Sequence, residues 1–386
     1  MENTTTRWVG RQLHGVLREA SRAFPVVVLT GPRRAGKTAL LRRLFPKAAY
    51  QLLESPDIVA RVRADPRGWL EAQTTPIILD EIQNAPELLP YIRASVDAAP
   101  GKKGRWLITG SQDFSLMQGV TESMAGRAAV LTLLPLSAAE LGRVELLRGG
   151  YPEVWARPRT AALWFDSYLQ TFLERDVRSL RAVHDLSVFR RFLSLLASRH
   201  GQVLNRSDLA GPLGLSVPTV NAWLSVLETT GQVVLVPPYF ENFGKRLIKS
   251  PRLYWLDSGL VCHLLGLRDH AQLDGSPFLG PVFEGAVAAE LLKLQVNAGR
   301  RRELYFFRDE RGLEVDFLIP RPGGRLALLE AKAAKTVVPS DAGPMSRLGA
   351  PATSERWVVY GGAQMLTVAP GVRAVPLGGL ASALGV

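Results

Sequence analysis

The sequence predicts an α/β protein made of several domains, the first of which is built on a parallel sheet. Apolar strands alternate with helical segments in the first third, as they do in parallel sheets. Short helices follow after Gly201, and the last third begins with a helix that leads into three strands. A chain of 386 residues accommodates roughly two to four domains. We predict domains at residues 1–135, 136–200, 201–268 and 269–386.

Composition narrows the classes of protein to consider. With 47% apolar and 21% charged residues the chain is globular, and its net charge of +12 favours nucleic acid over a membrane as partner. A GC-rich genome also produces such an arginine-rich composition. The single cysteine, Cys262, excludes an internal disulfide and a cysteine-based zinc site, and its apolar surroundings predict an inert buried thiol. No apolar stretch approaches the roughly 20 residues of a membrane span, and the start lacks a signal-peptide pattern, so we expect a cytoplasmic protein.

The first domain is predicted from its apolar runs. Residues 1–22 have the spacing of an amphipathic helix, with Trp8, Leu13, Val16 and Leu17 on one face. The unbroken apolar run Phe24–Thr30 is typical of a strand buried on both faces, and the helix after it carries a stripe of leucines. Further strands are predicted at Pro76–Leu79, Arg105–Thr109 and Ala128–Leu134, with ligands at the carboxyl ends of the strands.

A phosphate-binding loop joins the first strand to its helix. Two glycines allow successive backbone N–H groups to converge on an anion, and the helix N-terminus adds partial positive charge. We expect Lys37 to contact the β- and γ-phosphates of ATP and Thr38 to ligate Mg²⁺. The predicted nucleotide-binding residues are Gly31, Pro32, Arg33, Arg34, Ala35, Gly36, Lys37 and Thr38.

Acidic and polar residues at later strand ends complete this predicted site. Asp80 would hold Mg²⁺ through water, and Glu81 would polarise the attacking water as general base, which favours ATP hydrolysis. Either Thr109 or Ser111 would contact the γ-phosphate or the water. Arg127 is a candidate for an arginine supplied in trans to a neighbouring subunit, and an ordinary surface arginine is the alternative.

The middle of the chain predicts helices and then a helix-turn-helix. Residues 136–199 have helical periodicity, interrupted at Gly149–Pro152, and helices at Asn205–Leu213 and Leu215–Thr230 follow. Strands at Val233–Pro237 and Phe240–Lys249 would then form a wing. DNA is the preferred partner of this winged helix, and a protein is the alternative. The candidate DNA-binding residues are Thr219, Asn221, Lys245, Arg246 and Lys249.

The last third predicts a second α/β domain with a crowded acidic face. A helix near Val282–Val296 precedes a meander, and a helix near 341–348 and a final strand follow. The meander strands and the final strand are predicted at Glu303–Arg308, Leu313–Ile319, Arg325–Ala331 and Arg356–Tyr360.

The acidic face of this meander predicts a metal site. Asp316 and Glu330 lie symmetrically about Gly323, so a hairpin turn there would place them opposite each other. Strand alternation puts Glu314 beside Asp316 and Glu330 beside Lys332, and turns Val315, Phe317 and Ile319 together into a core. Crowded carboxylates need a cation, which predicts Mg²⁺ or Mn²⁺, with Lys332 activating water or neutralising developing charge. A solvated face is the alternative.

These motifs together resemble a family of prokaryotic P-loop ATPases of the AAA+ type that carry a winged helix and a C-terminal DUF4143 domain. The segments that carry the resemblance are Gly31–Thr38, Ile78–Glu81, Ile108–Ser111, Gly126-Arg127, Leu134–Leu136, Gly149–Glu153, Tyr168–Asp176, Leu256–Leu260, Phe283-Glu284, Glu314–Phe317 and Glu330–Lys332. The C-terminal domain looks like the PD-(D/E)xK restriction-endonuclease fold. That likeness places Asp316, Glu330 and Lys332 at the metal and catalytic positions and Glu284 at the helical acidic position.

The resemblance implies ATP binding, a helical lid after the ATPase core, assembly into a homo-oligomer such as a hexameric ring, and a role on DNA. We therefore expect a Mg²⁺-dependent ATPase that acts on duplex or branched DNA, with a C-terminal domain that either cuts or grips the strand. The alternative is an ATP-driven signalling or assembly switch whose winged helix and C-terminal domain bind protein partners.

Overall fold

The structure is a computed structural model that describes residues 8–110, 124–172, 185–239 and 250–385, apart from 349 and 352. We divide it into an N-terminal unit (residues 8–140), a middle unit (141–278) and a C-terminal unit (279–385). Within these residues no helix is both long and apolar enough to cross a membrane.

The N-terminal unit is a parallel five-stranded sheet with the order β2-β3-β4-β1-β5. This confirms the predicted parallel sheet, in which β1, β3 and β4 are buried throughout. The short, half-buried β2 was not predicted, because its pattern is not continuously apolar. The elements are α1 (His14–Ala23), β1 (Val26–Thr30), α2 (Lys37–Leu44), β2 (Ala49–Leu52), α3 (Pro56–Ala64), α4 (Pro66–Glu71), β3 (Ile77–Asp80), α5 (Leu88–Asp97), β4 (Trp106–Thr109), β5 (Ala128–Thr132) and α6 (Ala138–Leu141).

The predicted lead-in helix is wrong for residues 8–13, whereas residues 1–7 of that prediction lie outside the described residues. Helix α1 begins only at His14, while Leu13 and Leu17 are buried as expected. The segment before it is held by side-chain contacts instead of helical ones. The Arg11 guanidinium donates to the Ala35 carbonyl at 2.8 Å and pairs with Glu140 at 3.1 Å.

The middle unit has one core that spans both the predicted helical segment and the predicted helix-turn-helix. Phe189 and Phe192 pack edge-on against Trp223 within it. Its elements are α7 (Pro152–Ala156), α8 (Ala161–Phe172), α9 (Leu186–Ser198), α10 (Arg206–Ala210), α11 (Val217–Thr229), β6 (Val233–Val236), β7 (Arg252–Trp255), α12 (Ser258–Leu264) and α13 (His270–Asp274). The Cys262 thiol is buried, which raises its pKa to about 12 and confirms the expected inert cysteine.

The predicted wing lies only partly within the described residues, so its pairing stays a prediction. Strand β6 pairs antiparallel with β7, with Val233 opposite Trp255 and Val236 opposite Arg252. The described partner of β6 therefore lies after the segment predicted to be its partner. That segment, Phe240–Lys249, lies outside the described residues.

The C-terminal unit packs a long helix against a six-stranded sheet with the order β12-β13-β11-β10-β9-β8. The predicted helix, meander and final strand are all present, the final strand pairs parallel with β10, and β12 and β13 are additional. The elements are α14 (Leu279–Asn297), β8 (Tyr305–Arg308), β9 (Glu314–Arg321), β10 (Arg325–Lys332), α15 (Gly343–Arg347), β11 (Glu355–Tyr360), β12 (Leu366–Ala369), β13 (Val372–Pro376) and α16 (Leu380–Ala383).

The predicted hairpin register is confirmed, whereas the predicted alternation holds for Phe317 and Ile319, which share one core, and is wrong for Val315. Leu329 pairs with Phe317, which sets Glu330 beside Asp316. The register between β8 and β9 shifts between Val315 and Leu318, because β9 accommodates one extra residue there as a bulge. Val315 therefore packs with Leu318 on one face of the sheet, and Phe317 packs on the other.

Helix α14 is buried on nearly all sides because every unit contacts it. Its Glu290 accepts from the Ala138 N–H at 2.8 Å, and its Lys293 donates to the Leu136 carbonyl at 3.0 Å. At Gly285 the imidazole of His200 lies so close that an added Cβ would be 1.9 Å from Nε2. This contact explains why α14 has a glycine in its interior.

Asp257 joins two of the motifs that carry the family resemblance. Its buried carboxylate caps α12 by accepting from the Leu260 N–H at 2.9 Å, and accepts from the Gly150 N–H at 2.7 Å. At Gly149, where φ is +63°, a Cβ would lie 2.2 Å from the same carboxylate. Gly149 thus allows a close backbone approach to Asp257 that a side chain would block.

We predict that Asp257→Ala lowers the free energy of unfolding by about 2–4 kcal/mol, since it leaves buried N–H groups without an acceptor. Asp269→Ala is the matched control, because Asp269 caps the short exposed helix α13 and should cost about 1 kcal/mol. Urea denaturation of both variants measures the difference. Equal losses would show that the Gly150 contact contributes nothing.

Candidate functional site

The phosphate loop has the conformation that its glycines predict. Gly31 and Gly36 have φ values of 134° and 97°, and a Cβ on Gly31 would lie 2.1 Å from the Leu133 carbonyl oxygen. The Lys37 Nζ donates to the carbonyls of Gly31 and Pro32 at 3.0 Å each. The ammonium group is therefore folded into the loop at the N-terminus of α2, where phosphate oxygens would replace these carbonyls as its partners.

Asp80 lies at the carboxyl end of β3 and collects hydroxyl groups from three elements. Thr38 Oγ1 donates to its two oxygens at 2.8 and 3.0 Å, and the Tyr50 hydroxyl donates at 2.8 Å. Thr109 Oγ1 donates as well. All these donors are neutral, so they form hydrogen bonds with this buried carboxylate but do not compensate its negative charge. An oxygen-rich group with uncompensated negative charge fits Mg²⁺, held by Thr38 and, through water, by Asp80.

Tyr50 is a site residue that sequence reasoning missed. It lies on β2 beside β3, opposite Ile78 in the register. Burial, together with the Asp80 contact, raises the pKa of the Tyr50 hydroxyl to about 12, so it remains a donor at neutral pH. The only sequence signal was a tyrosine one strand away from the acid, which becomes informative once the strand order is known.

Glu81 and Thr109 form the second half of the site. Glu81 has a left-handed backbone (φ 61°), and its N–H donates to Thr109 Oγ1 at 3.1 Å. Gln83, also missed by sequence reasoning, donates through its amide to the Glu81 carboxylate. Thr109 therefore connects both acids, whereas Ser111 lies outside the described residues.

Arg127 lies at the amino ends of the strands, and the phosphate loop lies at their carboxyl ends. Arg127 precedes β5, and its carbonyl accepts from the Val26 N–H. Its guanidinium pairs with Asp97 at 2.6 and 3.1 Å on the surface. Strand β1 alone has five residues, or about 16 Å, so Arg127 does not serve the loop of its own chain. Its role in trans stays a prediction.

The predicted acidic residues of the C-terminal unit do come together, but around an arginine. The Arg252 side chain, from β7 of the middle unit, is only 5% exposed. Its guanidinium pairs with Glu284 at 2.9 Å, with Asp316 at 3.4 Å, and with Glu314. Sequence reasoning missed this residue, because Arg252 is remote in the chain from all three carboxylates.

The residues at this cluster do not fit a divalent metal ion. Among the described residues no group of three or more histidine, cysteine or acidic side chains is placed to hold one. The second oxygen of Asp316 accepts a hydrogen bond from the Ala331 N–H at 2.9 Å, and Glu284 accepts one from the Tyr254 hydroxyl. Burial, and then the nearby Asp316, raise the pKa of both Glu284 and Glu330 above the usual range. The predicted Mg²⁺ or Mn²⁺ here receives no support from this geometry.

The described ion pair of Lys332 is with Glu330, at the outer side of this cluster. Its Nζ lies 3.7 Å from Glu330, and the side chain is 38% exposed. The other Glu330 oxygen, Oε1, is buried without a hydrogen-bond partner. The lysine is thus beside Glu330, as the sequence predicts, and its role in activating water stays a prediction.

The predicted DNA-binding residues are only partly within the described chain. Ser216 caps α11 by accepting from the Thr219 N–H, and the two hydroxyls are 2.8 Å apart, so Thr219 takes part in the cap. Asn221 is exposed. The sequence of α11 contains no lysine or arginine. Lys245, Arg246 and Lys249 lie outside the described residues.

Three family models match successive parts of the chain. An AAA domain matches residues 23–142, a domain of unknown function (DUF8612) matches 141–271, and a second domain of unknown function (DUF4143) matches 279–380. The first and third confirm the expected order of an AAA-type P-loop ATPase followed by a DUF4143 domain. The nuclease-like character of the latter stays a prediction.

Two mycobacterial relatives match most of the chain. Uncharacterized proteins of Mycobacterium bovis and Mycobacterium tuberculosis are each 36% identical over 314 residues, which is 80% of this chain and 70% of theirs.

Solved structures give weaker likenesses. The Walker-type ATPase of Pyrococcus abyssi is 16% identical, with a TM-score of 0.44 over 66% of this chain and 94% of that one. A Thermotoga maritima RuvB variant is 16% identical, with a TM-score of 0.31 over 59% and 90%. Neither score is high enough to establish a shared overall fold.

We predict that Tyr50→Phe raises the Mg²⁺ concentration needed for half-maximal ATP hydrolysis by roughly three- to tenfold, which corresponds to about 1 kcal/mol, the typical net contribution of one hydrogen bond. The maximal rate at saturating Mg²⁺ should change less, because the general base is untouched. Tyr91→Phe is the control, since Tyr91 is exposed on α5. A Mg²⁺ requirement that is unchanged in Tyr50→Phe would remove Tyr50 from the site.

Proposed function

This chain belongs to the same family as the two mycobacterial proteins, and we propose that it is a Mg²⁺-dependent ATPase that acts on duplex or branched DNA. That it is a P-loop ATPase of the AAA type follows from its AAA domain. The observation that carries the proposed hydrolysis is the placement of Glu81 beside Asp80, with Thr109 hydrogen-bonded to both.

Each residue of the N-terminal site has a distinct task in this reaction. Lys37 and the loop N–H groups bind and orient the phosphates, while Thr38 and Asp80 would hold Mg²⁺. When bound, Mg²⁺ neutralises charge on the β- and γ-phosphates. The Glu81 carboxylate accepts a proton from the attacking water, provided that the Gln83 amide leaves one of its oxygens available.

The DNA part of the proposal rests on charge and on the helical arrangement of the middle unit. The net charge of +12 favours a polyanion, and α10 and α11 have the order of a helix-turn-helix. Strand cleavage is not included, because the C-terminal carboxylates surround Arg252 instead of leaving room for a metal ion.

A second candidate is the nucleotide-driven switch that binds protein partners. Helix α11 favours it, because its exposed positions include Asn221, Ser225 and Glu228 and no cationic residue. A helix that enters a DNA groove more often carries lysine or arginine for phosphate and base contacts.

ATP turnover in the presence and absence of DNA separates the two candidates. We expect duplex or four-way-junction DNA at low salt to raise the steady-state rate several-fold, because phosphate contacts are strongest there. No stimulation by linear duplex, single strand or junction would favour the switch. The assay therefore tests the partner independently of the ATP site.

Lys37→Ala should abolish ATP hydrolysis and leave DNA binding intact, since only the phosphate contact is lost. Lys47→Ala is the matched control, because Lys47 is an exposed lysine just beyond α2. Wild-type turnover by Lys37→Ala would refute the assignment of the loop.

The proposed homo-oligomer, with Arg127 acting in trans, is tested by mixing inactive variants. Arg127→Ala and Lys37→Ala should each be inactive, whereas their mixture should recover part of the activity. Recovery is expected because some interfaces then combine an intact loop with an intact arginine. Wild-type activity of Arg127→Ala alone would reduce Arg127 to a surface residue paired with Asp97.

A further inference from the structure

We propose that the acidic cluster of the C-terminal unit is a binding site for the guanidinium group of Arg252, and that this contact latches the middle unit onto the C-terminal unit. In this assignment the protein's own arginine takes the place that a catalytic metal ion would have. The proposal concerns the contact between the middle and C-terminal units, and it does not depend on whether DNA is the substrate of the ATPase.

The geometry of Arg252 is that of a ligand in a built site. Its guanidinium reaches carboxylates on two separate elements, Glu284 on α14 and both Glu314 and Asp316 on β9. Its carbon Cζ also lies 5.0 Å from the centre of the Phe306 ring, on β8. Arginine suits such a site because its planar group offers several donors in fixed directions and stacks on aromatic faces.

Electrostatics favour the arginine over a divalent ion at this position. A buried guanidinium needs opposite charge at close range, and breaking such a pair leaves an uncompensated charge inside the protein. A metal ion could take the Asp316 and Glu284 oxygens only by expelling Arg252 from surroundings in which its side chain is 5% exposed. The ion and the guanidinium would otherwise repel each other within a few ångströms.

A second contact holds the same two units together beside the cluster. After β6 the chain runs along β8, where the Tyr239 N–H donates to the Phe306 carbonyl at 2.8 Å and the Phe306 N–H donates to Pro237 at 3.1 Å. The rings of Tyr239 and Tyr305 meet edge to face at 5.5 Å. This backbone joint fixes the middle unit against the sheet edge and so places β7, with Arg252, over the carboxylates.

The first experiment compares the wild-type protein with the Asp316→Asn variant. Mn²⁺ binding to the nucleotide-free full-length chain is measured by electron paramagnetic resonance, and cleavage of supercoiled plasmid is followed with Mg²⁺ and with Mn²⁺. We expect that no Mn²⁺ binding depends on Asp316 and that the plasmid is not cleaved. Stoichiometric Mn²⁺ binding, or cleavage, that Asp316→Asn abolishes would overturn the proposal, whereas Mn²⁺ that survives Asp316→Asn lies outside the cluster and supports it.

The second experiment tests the latch by thermal unfolding. Arg252→Met, which keeps length but removes the charge and its donors, should lower the melting temperature by roughly 5–15 °C. Arg252→Lys should fall between that variant and wild type, since the cation is kept but the planar fork is lost. Arg159→Met is the control, because Arg159 is an exposed arginine of the same unit. Melting of Arg252→Met at the wild-type temperature would overturn the latch, and if that variant does not fold, the Mn²⁺ measurement still decides.

Discussion

Burial of helix α14 is the constraint on which the arrangement of the three units depends. A helix enclosed on nearly all sides has to find partners for each charged side chain that it carries, because unpaired charges are costly in the interior. Glu290 and Lys293 find theirs in each other and in the backbone that leaves the N-terminal sheet, and Glu284 finds its own in Arg252 of the middle unit. The charges of one helix thereby fix how the N-terminal, middle and C-terminal units dock.

The same network extends to the phosphate loop. Arg11 donates to the Ala35 carbonyl of the loop and to the Leu134 carbonyl, and it pairs with Glu140. Glu140 lies on the helix that begins at Ala138, the residue whose N–H donates to Glu290. Continuous polar contacts therefore run from the nucleotide-binding loop to the core of the C-terminal unit. Arg11 is buried and contacts both the phosphate loop and Glu140, so its loss would disturb the loop and the helix that carries Glu140 together.

Two acidic sites in this chain are satisfied in different ways, and the difference decides what each can bind. Asp80 accepts hydrogen bonds from hydroxyl groups, which orient its oxygens but bring no positive charge, so the Mg²⁺ ion that we propose would supply the compensating charge. At Asp316 a residue of the protein itself, Arg252, already supplies the positive charge. Similar acidic patterns in a sequence can thus correspond to a cofactor site in one place and to an internal ion pair in another.

The sequence by itself determined the features whose signals are local. The phosphate loop, the acidic end of β3 and the turn at Gly323 that places Glu330 beside Asp316 all follow from neighbouring residues, since glycine spacing and strand periodicity act over a few positions. Only the tertiary structure decided which distant side chains complete the sites. Tyr50 meets Asp80 because β2 pairs with β3, and Arg252 reaches the C-terminal cluster because β7 docks over it. Such contacts depend on the packing of whole units, and no local pattern in the chain encodes them.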